Sequence, residues 1–397
     1  MWALVLLLAC VPFALTRYIG HTTLTTFKVA LLGTLIGGAP LVVATLRERP
    51  RPIAFWLALG ALLLATAATI LTAVLKPVAL RETLKAFEYA LAATIAFVVA
   101  RSARDDRRIS AALAAIVSFV VLDALRDFIH PQSGFYVGDI AVLRLAGHLE
   151  GPNQLAAFIG IALPIMALSS ARRSGWRSTL ALAVATFGLV ASFSRTGIIV
   201  AFAATIVVLV GQRWQRPALT MLAASAGAAA MFFFLFSPRS IMHIFSPLQE
   251  SAVHAGGVGT RNDLWSAALR MWRSRPILGV GAGNFEYLLQ RFGAPTGVRT
   301  HANSLYLEAL ADGGIVLALA TTVAAWLVPI RLLARDPFVR AIGIAGIALA
   351  IHGVADDVTF YPKVGEWWWL LAGYGTGCAM RGDSLPSETP DIKYVRT

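Results

Sequence analysis

Charge is what this chain has least of. Only 14% of its 397 residues are charged, and 21 acidic side chains face 34 basic ones. A soluble domain has charge on roughly a quarter of its residues, so a soluble globular protein is excluded. Cysteine is nearly absent. The two present, Cys10 and Cys378, sit in the first and last apolar runs, where no disulfide between them is expected and no redox signal can be read. Strands with period-two alternation are missing too, which argues against a β-barrel.

What fills the chain instead is hydrocarbon: 57% of residues are hydrophobic and the mean hydropathy is +0.70. Apolar runs lie near 1–16, 27–46, 53–75, 86–100, 109–128, 153–171, 178–193, 197–211, 217–236, 313–331, 338–354 and 364–380. Each approaches the roughly 20 residues a helix needs to cross a hydrocarbon core of about 30 Å. The expected fold is an all-α polytopic membrane protein, one integral membrane domain over 1–397 with about twelve transmembrane helices. The opening MWALVLLLAC lacks a positive leader and a small-x-small cleavage site, so it reads as a retained first helix. A bulky leucine two residues before Cys10 argues against lipidation.

Short arginine-dense connections at 47–52, 101–108, 172–177, 212–217 and 331–336 recur at every second turn of the chain. The positive-inside rule makes that side cytoplasmic, with both termini. It also accounts for much of the +13 formal charge without nucleic acid as a partner. The weakest point of this layout is the 76–85 turn, which puts Lys76, Arg81 and Lys85 on the outer face.

The other face carries the unusual material: a polar excursion at 123–152 and a large periplasmic loop at 237–302 that contains the glycine-rich HAGGVGT. A loop this long is usually functional. Within it, RNDLWSAALRMWRSR (261–275) places Leu264, Trp265, Ala268, Leu269 and Trp272 on one helical face. Thr260 and Asp263 give a capping-box start. The segment is expected to be an amphipathic helix lying on the membrane surface with interfacial tryptophans.

Four places on this face could carry chemistry. RLAGHLEGPNQLA (144–156) holds Arg144 and Asn153; SFSRTG (192–197) holds Arg195; Arg261 opens the surface helix; and His301 stands two residues before Asn303. An ionisable group at a membrane edge suggests a functional site, but each has a plainer use. Arg195 suits an interfacial arginine reaching for water, Arg144 and Arg261 suit lipid phosphate, and His301 alone suits a structural histidine. Asn153 and Asn303 read more naturally as helix caps. GVGAGNF (279–285) lacks the preceding strand of a dinucleotide fingerprint. Asp123, Asp127 and His130, or Asp356 and Asp357, do not complete a metal shell, so no metal and no cofactor are expected. Glu308 lies about two helical turns beyond His301, which should keep the two apart.

SRTG at the head of a helix, R-x-x-x-W followed by P-x-x-G-x-G-x-G-x-F, and H-x-N-S-x-x-L-E-x-x-x-x-G-G before the next span resemble, in that order, the O-antigen ligase and O-antigen polymerase superfamily of the bacterial envelope. The likeness covers about residues 140–380. One departure is His301-Ala302-Asn303, where many members have His and Asn adjacent. The resemblance, closest to the ligases, implies a multi-pass protein of the inner membrane with its active site on the periplasmic side. It implies transfer of a glycan from undecaprenyl diphosphate to a lipid A–core sugar, and membrane lipids as the surroundings. It further implies His301 as catalytic base and Arg195 and Arg261 as diphosphate ligands, with Arg144, Asn153 and Asn303 as further substrate-binding candidates. Two arginines and a helix N-terminus can meet the charge that many transferases give to a metal.

A polymerase of the same superfamily is the nearest rival, and a protein O-oligosaccharyltransferase is a more distant one. A transporter or flippase is disfavoured because no internal repeat is visible and the polar residues cluster at the edge, not the midplane. Transfer should persist in EDTA. An assay in which chelation stops turnover and Mg²⁺ or Mn²⁺ restores it would reveal a metal site, with Asp356 and Asp357 the first suspects.

Overall fold

The computed structural model describes residues 1–19, 22–48, 52–129, 135–137, 140–142, 144–172, 175–210, 215–236, 261–294 and 300–382. Its helices are α1 (Trp2–Cys10), α2 (Thr26–Gly37), α3 (Ala39–Arg47), α4 (Ile53–Ala68), α5 (Lys76–Ser102), α6 (Asp106–Ala124), the single turn α7 (Arg126–Ile129), α8 (Pro152–Arg172), α9 (Trp176–Ala191), α10 (Arg195–Leu209), α11 (Gln215–Phe236), α12 (Arg261–Ser274), the single turn α13 (Phe285–Leu288), α14 (Leu305–Leu332), α15 (Pro337–Ala355) and α16 (Pro362–Gly382). The protein is all-α in class.

A helix falls in every expected run, but the count of twelve spans is not established. Among the described residues, five helices are long and apolar enough to cross a membrane, or six if α2 and α3 are one bent span. Helix α1 has only 9 residues, about 13 Å at 1.5 Å per residue. The α2–α3 pair bends by 68°. Pro40 sits in the first turn of α3, and Gly38 packs so tightly that a Cβ there would lie 2.9 Å from the Thr34 carbonyl oxygen. Strands were not expected, yet two small ribbons occur: β1 (Thr16–Ile19) with β2 (Thr22–Thr25), and β3 (Phe135–Val137) with β4 (Ile140–Val142). At three or four residues each, they are too short for an alternating pattern to register.

Helix α8 is the centre of the bundle, with 89% of its span window buried. It is apolar around its whole circumference, as a core helix must be. Helices α5 and α16 approach most closely through small residues. A Cβ at Gly373 would stand 2.2 Å from the Ala93 carbonyl oxygen, and one at Gly377 2.5 Å from that of Phe97. Small residues let backbones meet where no hydrophobic drive separates helix from lipid.

The two ends of the bundle differ. At one, Arg101 donates to the Met380 carbonyl (2.7 Å) and pairs with Glu48 (3.0 Å), while Arg104 bridges Asp106 (2.6 Å) and Asp336 (2.9 Å). The other end gathers the stretches near 69–76, 144–151, 192–195, 276–285, 301–304 and 355–363. There the basic stretch 76–85, expected as a turn, forms the first turns of α5, and two of its cations are paired locally. Lys85 pairs with Glu82 and donates to the Phe360 carbonyl (3.0 Å), and Arg81 faces Glu82 (3.3 Å) and Glu286 (4.0 Å).

Helix α14 is broken at Gly314, whose φ of 58° and ψ of −158° are not helical. The glycine loop 276–283 fills the break. The amides of Ile315 and Val316 donate to the Pro276 and Ile277 carbonyls (2.9 and 3.3 Å), and those of Val280 and Gly281 donate to Ala311 and Asp312 (3.1 and 2.8 Å). The Asp312 carboxylate accepts the amides of Gly283 and Phe285. Backbone groups freed at membrane depth must be satisfied within the protein, and this loop does so. Its glycines leave no room: a Cβ at Gly279 (φ 61°) would lie 2.3 Å from the Asp312 carbonyl carbon, and one at Gly314 2.4 Å from that of Ile277.

The described part of the 237–302 loop, residues 261–294, therefore packs against the bundle. The buried face of α12 is Leu264, Ala267, Ala268 and Met271, packed with Val280, Phe285 and Ala302. That differs from the expected apolar face. Trp265, Leu269 and Trp272 are only half-buried, because the helix turns the Leu264–Met271 face toward the glycine loop and the start of α14. Thr260, and with it the capping box and HAGGVGT, lies outside the described residues.

Gly279→Ala should lower folding stability by about 2 kcal/mol or more, since it adds a clash to a positive φ. Gly33→Ala in α2, where a Cβ meets nothing within 4 Å, should leave stability unchanged or slightly raised. Thermal unfolding of both variants in detergent is the check; similar midpoints would show that the glycine loop is not the constraint.

Candidate functional site

The site end is built from three elements tied to one another. The strap at 144–151 is anchored to the α9–α10 corner, where the Leu145 amide donates to the Ala191 carbonyl (3.1 Å) and Arg144 Nε donates to that of Ser192 (2.9 Å). Asp127 Oδ2 accepts the amides of Ala146 and Gly147 (3.0 and 2.9 Å), and Asp123 Oδ2 meets His148 Nδ1 at 2.6 Å. These two acids thus serve as strap fasteners. His130 lies outside the described residues.

The α9–α10 corner is the SRTG turn. Phe193 is buried with a positive φ of 52°, and Ser192 Oγ donates to the Leu189 carbonyl (2.6 Å). Gly197 is needed because a Cβ there would lie 2.6 Å from Ala156 Cβ and 3.1 Å from His352 Cε1. Close packing of α10 on α8 and α15 holds Arg195, at the first position of α10, at this end of the bundle.

The third element is the 301–304 coil before α14. The N-cap of α14 is Ser304, whose hydroxyl accepts the Leu307 amide. Asn303 is therefore not the cap. It takes a positive φ of 51°, and its amide donates to His301 Nδ1 (3.2 Å). Glu308, expected to lie too far from His301 to touch it, accepts the amide of neighbouring Ala302, since the coil folds back over the helix start.

These elements meet in a chain of contacts. Arg144 Nη2 donates to Asn153 Oδ1 (3.0 Å), Asn153 Nδ2 donates to Asp356 Oδ2, and Asp356 Oδ1 lies 3.6 Å from His301 Nδ1. Asn153 is thus a bridge within the site and no helix cap. Burial pulls the Arg144 pKa down to about 10, against the pull of Asp356, and the charges of Arg195 and Arg261 lower it further. Arg195, Arg261 and Asp356 are therefore all within electrostatic reach of Arg144. His301 also faces the Phe360 ring, with centroids 5.2 Å apart.

Asp356, which its sequence position offers only as half of an incomplete metal site, is instead the junction of this chain. Buried His352, four residues earlier on α15, was overlooked altogether. An H-x-x-x-D pair at the end of an apolar run was the available signal, one helical turn apart on one face. Among the described residues no three His, Cys, Asp or Glu side chains cluster as a metal site would need.

Residues 180–322 match the O-antigen ligase family model. That is about a third of the chain, from α9 to the middle of α14, and it contains Arg195, Arg261, His301 and Asn303. This region is therefore similar to the O-antigen ligases. No curated protein matches the chain. Arg144, Asn153 and Asp356, which complete the contact chain, lie outside the O-antigen ligase match.

Arg144 feels the charges of both Arg195 and Arg261 with Asp356 opposing them, and three guanidiniums within reach of one another are the electrostatics of an anion site. Inorganic pyrophosphate should raise the midpoint of thermal unfolding, as any ligand that prefers the folded state does. The shift should shrink severalfold in Arg261→Ala; no shift in the unaltered protein would show that these arginines do not form an anion site.

Proposed function

We propose that the protein is a metal-independent, inverting transferase of the O-antigen ligase type. It would move a glycan from undecaprenyl diphosphate to a sugar hydroxyl of lipid A–core, at the periplasmic side of the bacterial inner membrane. The observation that carries this reading is the continuous path from Arg144 through Asn153 and Asp356 to His301, with Arg195 and Arg261 in its field.

In the proposed step the acceptor hydroxyl oxygen forms a bond to the anomeric carbon as its proton passes to His301 Nε2. The bond from that carbon to the diphosphate oxygen breaks, and its electron pair leaves with the diphosphate. One displacement inverts the configuration. Arg195 and Arg261 offer planar pairs of donors to the departing oxygens, where negative charge grows. A positioned base contributes roughly 10²–10⁴-fold. His301 can be that base when its proton sits on Nδ1, directed at Asp356, which leaves Nε2 free. A covalent glycosyl intermediate would need a carboxylate nucleophile, whereas Asp356 faces the imidazole as its orienting partner.

His301→Ala should abolish transfer without loss of fold. Arg195→Lys, which keeps charge and loses the fork, should lose most activity. Asp356→Asn should lower kcat by roughly 10²-fold or more, as when an orienting carboxylate is removed from a histidine base. Purified variants assayed with carrier-linked glycan and lipid A–core would decide. Near-normal turnover in His301→Ala defeats the assignment, and full activity in Arg195→Lys defeats the geometric role of the fork.

A further inference from the structure

A cavity of about 180 Å³ opens among α4, α5, α14, α15 and α16. A single water needs only about 10–15 Å³ of such space, so this is far more than a packing defect. Its walls are divided. Near the site end stand Glu82, Lys85, Glu308, Asp312 and Asp357. Deeper walls are apolar, with Leu317, Ala324 and Leu349. Phe360 also lines the cavity, and its other neighbour is the His301 ring, 5.2 Å away between centroids. The cavity therefore reaches the histidine through the Phe360 ring, while the arginine cluster is linked to it through Asn153 and Asp356.

Most of the polar groups are already committed. Glu82 and Lys85 pair with each other. Both Asp312 oxygens hold backbone amides of the glycine loop. Asp357 Oδ1 accepts the amide and hydroxyl of Thr359 (3.1 and 2.8 Å). Glu308 is the exception. It is 5% exposed, one of its oxygens accepts the Ala302 amide, and Oε1 is buried with no hydrogen-bond partner among the described residues. A buried acceptor left unmade costs about 1–3 kcal/mol, so a ligand that donates a hydrogen bond there is favoured.

Charge narrows the ligand. The walls offer four carboxyl groups, acceptors like a diphosphate's own oxygens, and a single lysine already paired with Glu82, so they hold few free donors for a diphosphate, whose place is the arginine side. A prenyl chain against this end would leave Glu308 unmet and bury the charged walls against hydrocarbon. A sugar ring fits both demands: its hydroxyls donate to carboxylates and accept from lysine, and its C–H face lies against an aromatic side chain such as Trp368, which lines the cavity.

We propose that this cavity is the subsite for the sugar ring of the acceptor, with Glu308 Oε1 accepting one of its hydroxyls. The proposal rests on reading the protein as a glycan transferase. The donor's diphosphate and the acceptor's sugar are then sorted between the arginine cluster and the cavity, both of which reach His301.

Glu308→Gln is the decisive variant. Its amide oxygen can still accept the Ala302 amide, so a purely structural role survives, whereas an N–H₂ replaces the free acceptor. With purified full-length protein, carrier-linked glycan and lipid A–core, the acceptor KM should rise about tenfold. The donor KM and the pyrophosphate-induced stabilisation should stay within twofold. A rise in the donor KM instead, or unchanged values for both, overturns the proposal. If the unaltered protein shows no glycan transfer, the functional reading fails on its own, and a second arm judges the cavity. Methyl β-D-glucopyranoside at millimolar concentration should quench tryptophan fluorescence in the unaltered protein in nanodiscs, with the change lost in Trp368→Phe and reduced in Glu308→Gln. Absence of quenching in the unaltered protein, or equal quenching in all three, overturns the sugar subsite.

Discussion

A helix broken inside a bundle must have its freed amides and carbonyls met from within the protein, and in this chain one loop does that work. The glycine segment 276–283 threads into the gap at Gly314 and hydrogen-bonds both sides of it. The same loop is held from behind by the α4–α5 connection. Thr72 Oγ1 donates to the Leu278 carbonyl, the Val74 amide to that of Val280, and Asn284 bonds both the amide and the carbonyl of Leu75. The outer segment therefore enters the bundle at two fixed points. Arg261 lies on one flank of that anchor and the His301 coil lies on the other. Their placement over one end of the bundle follows from satisfying the break.

Around His301 the fixed charges separate by sign. Arg144, Arg195 and Arg261 share one region with Asp356, while Glu82, Glu308, Asp312 and Asp357 with Lys85 occupy the other. Desolvated charge is costly unless it is paired or awaits a partner. The acidic side is largely paired internally, whereas the arginine side keeps a net positive charge. That asymmetry suits a reaction in which one substrate arrives as an anion and the other arrives neutral.

The sequence revealed helices well because hydrophobic length is a direct physical demand of the bilayer. It revealed their ends poorly. Nothing in the run at 27–46 weighs the bend at Gly38 and Pro40 against continuing the helix, and the break at Gly314 depends on a partner loop thirty-odd residues earlier. Three of the site's arginines and its histidine stood out because each interrupts or borders apolar sequence. Asp356 did not, since an acid at the end of a span looks like any interfacial residue until Asn153, some 200 positions away, is seen to hold it. Asn153 and Asn303 illustrate the same limit. Both occupy positions where local rules favour a cap, and tertiary contacts overrode that preference.

The contacts of His301 Nδ1 set the terms on which the ring can act. This nitrogen has the Asn303 amide at 3.2 Å and Asp356 Oδ1 at 3.6 Å. Accepting from Asn303 requires Nδ1 without a proton, which puts the proton on Nε2 and removes the base. Facing Asp356 with Nδ1–H leaves Nε2 free to accept. The first contact is within hydrogen-bond distance and the second is just beyond it, while Asp356 Oδ1 is buried and otherwise unpaired. Catalytic hydrogen bonds are often long before substrate is bound and tighten with it. A shift of a few tenths of an ångström would exchange one partner for the other, and the unpaired Asp356 oxygen favours that exchange. Once a substrate hydroxyl is against Nε2, the two requirements point the same way: the oxygen at Asp356 gains its donor as the opposite nitrogen gains its task.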